Sequence, residues 1–152
     1  LNIKKVVAVI LGAIMLFVVS YMVFGSGETI KHNYTFVGAS DHWEASYNVN
    51  GQEKFYEIDN IGQYDGEYED QFILTFKGTD KELADIKEFH YKYQSPVSSS
   101  YSSMTFEEPH TNKVFSSGGF HQGSAIPREN YVIEVVVKWD GNKEIFEMKV
   151  EE

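Results

Sequence analysis

Five histidines, at positions 32, 42, 90, 110 and 121, are the side chains best suited to proton transfer or metal ligation. None stands in a spacing such as His-Glu-x-x-His, which sets two ring nitrogens on one helical face, so no metal site is read from His32, His42, His90, His110 or His121. His110 and His121 lie in or beside expected loops. Brought together with a nearby acid they would supply general acid–base chemistry; kept apart they are exposed or edge histidines. Asp59, Asp65, Glu67, Glu69 and Asp70 crowd one short stretch. Carboxylates on a loop can hold a hard cation such as calcium, but the EF-hand pattern is absent and only Gly66 resembles its turn glycine. The competing reading is a solvated acidic loop. Ser98-Ser99-Ser100 lacks the Gly-x-Ser-x-Gly elbow of a serine nucleophile. Gly118, Gly119 and Gly123 do not lead a strand into a helix, so no phosphate cradle is expected. Asn33-Tyr34-Thr35 fits a glycosylation sequon, a match frequent by chance. No residue is assigned as catalytic, cofactor-binding or metal-ligating.

Ten tyrosines and eleven phenylalanines exceed what one small core requires. Tyr56, Tyr64, Tyr68, Tyr91, Tyr93 and Tyr101 cannot all be buried. Exposed tyrosines suit peptide or glycan recognition, while tyrosine is also an ordinary strand residue.

The elements that must position these groups read as β-strands. Trp43, Ala45, Tyr47 and Val49 alternate onto one face, and Asn50-Gly51 is the strongest two-residue hairpin signal. That turn would set Ala45 opposite Tyr56 and Trp43 opposite Ile58. Asn33 to Val37 precedes it as a short strand. Gln71 to Lys77 is a further strand, with Phe72, Leu74 and Phe76 on one face. Thr79 and Glu82 resemble a capping box for one helical turn over Asp80 to Ala84. Period two returns from Ile86 to Tyr93. Ser95 to Ser103 and Ser116 to Ser124 are read as loops, with a short strand near Met104 to Glu107. At the C-terminal end Ile133, Val135, Val137 and Trp139 share a face with Phe146, Met148 and Val150, across a turn at Asp140-Gly141 or Gly141-Asn142. Val136 and Ile145 point the other way. Seven to nine short strands without a long helix give a mainly β domain, an antiparallel immunoglobulin-like β-sandwich, with a closed barrel as the second choice.

Three segments carry a resemblance: Ser40-Asp41-His42-Trp43-Glu44, Gly123-Ser124-Ala125-Ile126-Pro127-Arg128-Glu129, and Val137-Lys138-Trp139-Asp140-Gly141-Asn142-Lys143-Glu144. The chain resembles a group of small surface lipoproteins and membrane-anchored proteins of Bacillus and its relatives. The resemblance spans most of the chain after the N-terminal segment, and its motifs are structural. It implies an extracytoplasmic β-sandwich with no established activity and no catalytic residues to carry over. Unlike the lipoprotein members, this chain has no lipid-bearing cysteine.

Val6 to Phe24 is a run of nineteen uncharged residues, twelve of them Val, Ile, Leu or Phe, behind Lys4 and Lys5. As a helix it would reach roughly 28 Å, matching the ~30 Å hydrocarbon core of a bilayer. A cleaved secretory signal is the alternative, but signal h-regions usually run only about 7–15 residues. Lys4 and Lys5 ahead of the run keep the N-terminus cytoplasmic and export the rest. The chain has no cysteine, so a disulfide framework and a zinc–thiolate site are both excluded. All 23 acidic residues fall from Glu28 onward, against 11 of the 13 basic ones, a formal charge of −12. That balance argues against nucleic acid and anionic headgroups as partners.

The organisation expected is a cytoplasmic N-terminus at 1–5, a single transmembrane helix at 6–24, a linker at 25–32 and an extracytoplasmic β-sandwich at 33–152. The expected function is a non-enzymatic binding module of the bacterial cell envelope, held in the lipid bilayer through Val6 to Phe24 and engaging an envelope protein or glycan. Two alternatives stand beside it: an envelope hydrolase or transferase with dispersed residues such as His110 or His121, and a calcium-stabilised or cation-sensing domain using Asp59 to Asp70.

Overall fold

The computed structural model describes residues 27–151. Alternating apolar and polar residues give eight strands and one short helix: β1 (Glu28–Ala39), β2 (Trp43–Ile58), β3 (Ile61–Phe76), α1 (Asp80–Asp85), β4 (Glu88–Gln94), β5 (Ser99–Thr105), β6 (Val114–Gln122), β7 (Ile133–Trp139) and β8 (Asn142–Val150). All pairings are antiparallel. The strands join into one eight-stranded sheet in the order β5-β4-β7-β8-β1-β2-β3-β6. The domain is therefore mainly β and antiparallel, as its periodicity predicts. The backbone forms one curled sheet rather than two separate ones, because β1 and β8 pair through Phe36↔Val150 and Val37↔Lys149.

The curl brings β4 over β2, β3 and β6 without any hydrogen-bonded pairing between them. Trp43 stacks on Phe89 at 5.0 Å, Phe72 on Tyr93 at 4.2 Å, and Phe89 packs on Phe115 at 4.4 Å. Ile133, Val135, Val137 and Met148 are fully buried behind them. Fully buried side chains of this size each contribute about 1.5–3 kcal/mol. Tyr68, Tyr91 and Tyr93 join this interior, while Tyr101 stays exposed, so the tyrosines do divide between core and surface. Helix α1 carries the expected capping box, with Thr79 and Glu82 satisfying each other's backbone N–H groups, and it places Leu83 in the core.

The principal correction concerns Asn50-Gly51. These residues lie in mid-strand, where Asn50 pairs with both Asn33 and Glu69. The chain reverses instead at Asp59-Asn60, with φ of 52° and 60°, the two left-handed residues that a type I′ turn requires. Ala45 consequently faces Gly38 and Leu74, and Trp43 faces Phe76. Gly51 is glycine for another reason: a Cβ there would run into the Glu67 carbonyl and the Tyr68 Cβ. Three further readings change. Strand β1 starts at Glu28, so part of the expected linker is strand. Most of Ser116 to Ser124 and part of Ser95 to Ser103 belong to β6 and β5. The acidic stretch from Asp59 to Asp70 is mostly strand β3. The C-terminal hairpin follows expectation, with Trp139 opposite Asn142 and Val136 opposite Ile145.

Strands β2 and β3 are sixteen residues each and outrun their neighbours. Glu28 pairs with Phe55, so the hairpin continues past the start of β1 to its turn. The expected anchor, Val6 to Phe24, lies outside the described residues. Among the described residues no helix is long and apolar enough to cross a membrane.

Candidate functional site

The inward parity of β2 runs Trp43, Ala45, Tyr47, Val49, Gly51 and then Glu53, which places a carboxylate on a buried face. Glu53 is 1 % exposed. It is met by Arg128, the only arginine of the chain: Nη2 donates to Glu53 Oε2 at 2.9 Å and Nη1 donates to Oε1. His32 Nε2 stands 3.0 Å from the same Oε1. Burial pushes the Glu53 carboxyl up, but hydrogen bonds from Arg128 and His32 outweigh it and hold the group below its usual value. Arg128 rides on the segment between β6 and β7, which straps across the inner face. The strap is fixed by the Gly123 N–H to the Gly66 carbonyl at 2.7 Å, by Tyr64 Oη to the Ser124 carbonyl at 3.1 Å and by Tyr34 Oη to the Pro127 carbonyl. Burial pushes the Tyr34 phenol up to about 12.

A second network centres on Asp70. Tyr47 Oη donates to Asp70 Oδ2 at 2.7 Å, and the Gly119 N–H donates to Oδ1 at 2.8 Å. His121 Nε2 lies 3.3 Å from Oδ2, with its ring stacked on Tyr68 at 4.5 Å. Burial, then the bond to Asp70, drives the Tyr47 phenol far up. The third network holds a serine, a histidine and an acid, with the acid as its hub. Ser40 Oγ donates to Glu144 Oε2 at 2.5 Å, and His42 Nδ1 meets Glu144 Oε1 at 2.5 Å. Serine and histidine converge on the carboxylate rather than on each other, so the arrangement lacks the nucleophile–base contact of a triad. Burial raises the Glu144 carboxyl, and Ser40 and His42 bring it below its ordinary value.

The remaining candidate groups are dispersed. His110 stacks between Phe106 at 4.3 Å and Phe115 at 5.3 Å, just before β6, whereas His121 is near its end. Seven strand residues separate Val114 from His121, about 23 Å. The structure does not bring His110 and His121 together. His90 lies 3.1 Å from Tyr101 Oη at the β4–β5 edge. Asp65, Glu67 and Glu69 alternate to one face of β3 while Asp70 turns to the other, so the carboxylates do not converge. Among the described residues no group of three or more His, Cys, Asp or Glu could hold a metal ion.

The outer face of β1, β2, β3 and β6 is of a different character. Strand register lines up Thr35, Asn48, Gln71 and Gly118 in one row across the sheet, and Asn33, Asn50, Glu69 and Phe120 in the next. Thr35 Oγ1 donates to Asn48 Oδ1 at 2.7 Å, which leaves the Asn48 amide N–H groups outside that bond. Two shallow grooves, of about 630 and 450 Å³, flank the second row and share Asn50, Glu69 and Phe120 as lining. Phe120 is 60 % exposed beside the small floor of Gly118 and Gly119. Alternation alone does not reveal these rows, because they exist only once four strands are in register. The Glu53 clasp had a signal: an acid at an inward position and a lone arginine to answer it. Ending the strand at Asn50-Gly51 conceals that parity.

No protein-family model, curated protein or solved structure matches this chain.

Proposed function

We propose that this chain is a non-enzymatic binding module of a bacterial cell envelope, tethered through Val6 to Phe24 with its N-terminus cytoplasmic and its β domain outside, as in the Bacillus surface proteins it resembles. The facing halves of the curled sheet serve as an immunoglobulin-like sandwich, a rigid scaffold for one binding face. The observation that carries this reading is the pair of amide-rich rows on the outer face of β1, β2, β3 and β6, with an exposed phenylalanine at the end of one. The partner best suited to them is an uncharged, hydroxyl-rich glycan. Amides offer donors and acceptors about 4.8 Å apart from strand to strand, which suits a chain of sugar hydroxyls. Phe120 offers a flat apolar platform for a sugar ring. Glu67 and Glu69 accept from hydroxyls and repel polyanions. Strand β2, at the middle of this face, is hydrogen-bonded to β1 and β3 along most of its length, so recognition over the rows rests on side chains and not on strand addition.

The test is retention of the full chain, in mild detergent, on insoluble cellulose and chitin. Wild type binds, and Asn50→Ala/Gln71→Ala and Phe120→Ala each lose about tenfold in affinity, the scale of one or two good contacts, with unchanged thermal melts. Passage through both matrices, or retention that the variants do not alter, removes the reading.

A further inference from the structure

The long β2–β3 hairpin ends in apolar residues that face solvent on both sides of the sheet. Ile58 and Ile61 flank the turn on the outer face, and Ile30, Phe55 and Tyr64 stand exposed on the inner one. These five are nearly half of the eleven large exposed hydrophobics among the described residues, gathered at one end of the molecule. Ile61 is 62 % exposed, the most among them apart from Tyr101. A single exposed isoleucine needs no explanation, but a cluster at a protruding tip marks an interaction surface.

Chain connectivity says which surface. Glu28 pairs with Phe55, and Gly27 lies against Lys54 and the Phe55 carbonyl, so the chain enters the sheet beside the hairpin. From Phe55 to the turn at Asp59 is four strand residues, about 13 Å of reach beyond the start of β1. From Phe24, where the apolar run stops, to Glu28 is four peptide units, at most about 14 Å when fully extended. The tip thus protrudes about as far as the intervening residues could lift the domain away from a bilayer. Resting on the tether proposed above, we propose that the β2–β3 tip is a membrane-contact surface that seats in the headgroup layer beside the anchor. Tyr64 and Phe55 pack ring to ring at 5.2 Å, an exposed aromatic pair of the kind favoured at membrane interfaces. Asp59 and Glu57 set the depth, since a charge resists entry into hydrocarbon. The acidic domain makes the partner a zwitterionic lipid surface rather than an anionic one.

Because the chain has no cysteine, one can be placed and labelled cleanly. The full chain with Ile61→Cys, carrying an environment-sensitive nitrobenzoxadiazole dye, is reconstituted into phosphatidylcholine vesicles. Thr111→Cys, exposed at the far end of the domain, is the control. The expected result is a blue-shifted emission at position 61 that is quenched by doxyl-labelled lipid, with neither effect at 111. Vesicle flotation at high salt is read in parallel. If the chain floats and position 61 behaves like 111, the tip contact is wrong and the tether stands. If the chain does not float, the tether fails and this inference with it. A label at 61 that is quenched in wild-type background but released by Ile58→Ser supports the contact directly.

Discussion

Glu53 and Arg128 are 75 positions apart in the chain and meet through two parallel hydrogen bonds, Nη2 to Oε2 at 2.9 Å and Nη1 to Oε1. The pair pins the strap between β6 and β7 to the inner face of the sheet. It forms the centre of the domain's buried polar structure, because His32 joins it and Tyr34 and Tyr64 hold the same strap.

Removing one partner strands the other in a desolvated site. Arg128→Ala is expected to destabilise the domain by about 3 kcal/mol, a fall in Tm of roughly 10 °C. Glu53→Leu/Arg128→Met, which removes both charges, should recover most of that loss. Thermal melts of the two proteins check the order: a double variant less stable than Arg128→Ala contradicts the account.

Acid should weaken the fold through the same carboxylate. Glu53 and Glu144 are held below their ordinary value of 4.5 in the folded state, so the unfolded chain takes up their protons first. Their contribution is complete above that value and is lost as the pH falls through the lowered folded values. Urea midpoints measured from neutral pH down to about pH 3 should decline, and those of Glu53→Gln should start lower but decline less. Parallel profiles for the two proteins would place the acid sensitivity elsewhere.

The two turn-like signals in the first hairpin should respond oppositely to substitution. Asn60 occupies the left-handed region with space to be glycine, so Asn60→Gly changes stability by only a few tenths of a kcal/mol, whereas Asn60→Val costs about 1–2 kcal/mol. Gly51 has ordinary strand dihedrals but no room for a methyl group, so Gly51→Ala costs about 1–3 kcal/mol through displacement of Tyr68. Chemical denaturation of the three variants tests this; a silent Gly51→Ala would mean the close approach of β2 and β3 is not tight.

Calcium should leave the protein unchanged. Asp70 is engaged by Tyr47, Gly119 and His121, and the remaining carboxylates of β3 point to the opposite face. Melting curves in millimolar calcium and in chelator are expected to coincide. A rise of several degrees with calcium alone would restore a cation site.

Much of this fold is legible in the chain. Period-two alternation gives the antiparallel β character, the C-terminal hairpin and the inward set from Trp43 to Val49. Thr79 and Glu82 give the cap of α1. What fails has a common cause: turn propensity is local, whereas the need for glycine is also set by what lies opposite. Asn50-Gly51 satisfies the local rule for a hairpin, yet Gly51 answers to Tyr68 across the ladder. Asp59-Asn60 supplies the turn with weaker residues, because both tolerate positive φ. The glycines and serines of β5 and β6 look like loop for the same reason, although as edge strands they pack few side chains. The inward parity of Glu53 and a lone arginine hint at the clasp, but seating Arg128 on Glu53 and assembling the amide rows both need the register that brings distant segments together.

The pairing of β1 with β2 also has a mechanical meaning. Twelve consecutive positions of β1 run alongside β2 in opposite direction, and the chain enters at Glu28. A pull applied from that entrance, against a load carried on β2, β3 or β6, acts along the strands and not across them. Every hydrogen bond of the ladder then shares the strain at once, where a sideways pull would open them one after another. The β1–β8 seam, with only two paired positions, lies outside that path, on the other side of β1. Tension from the entrance is therefore carried by the twelve-position β1–β2 ladder and spares the seam where the two halves meet.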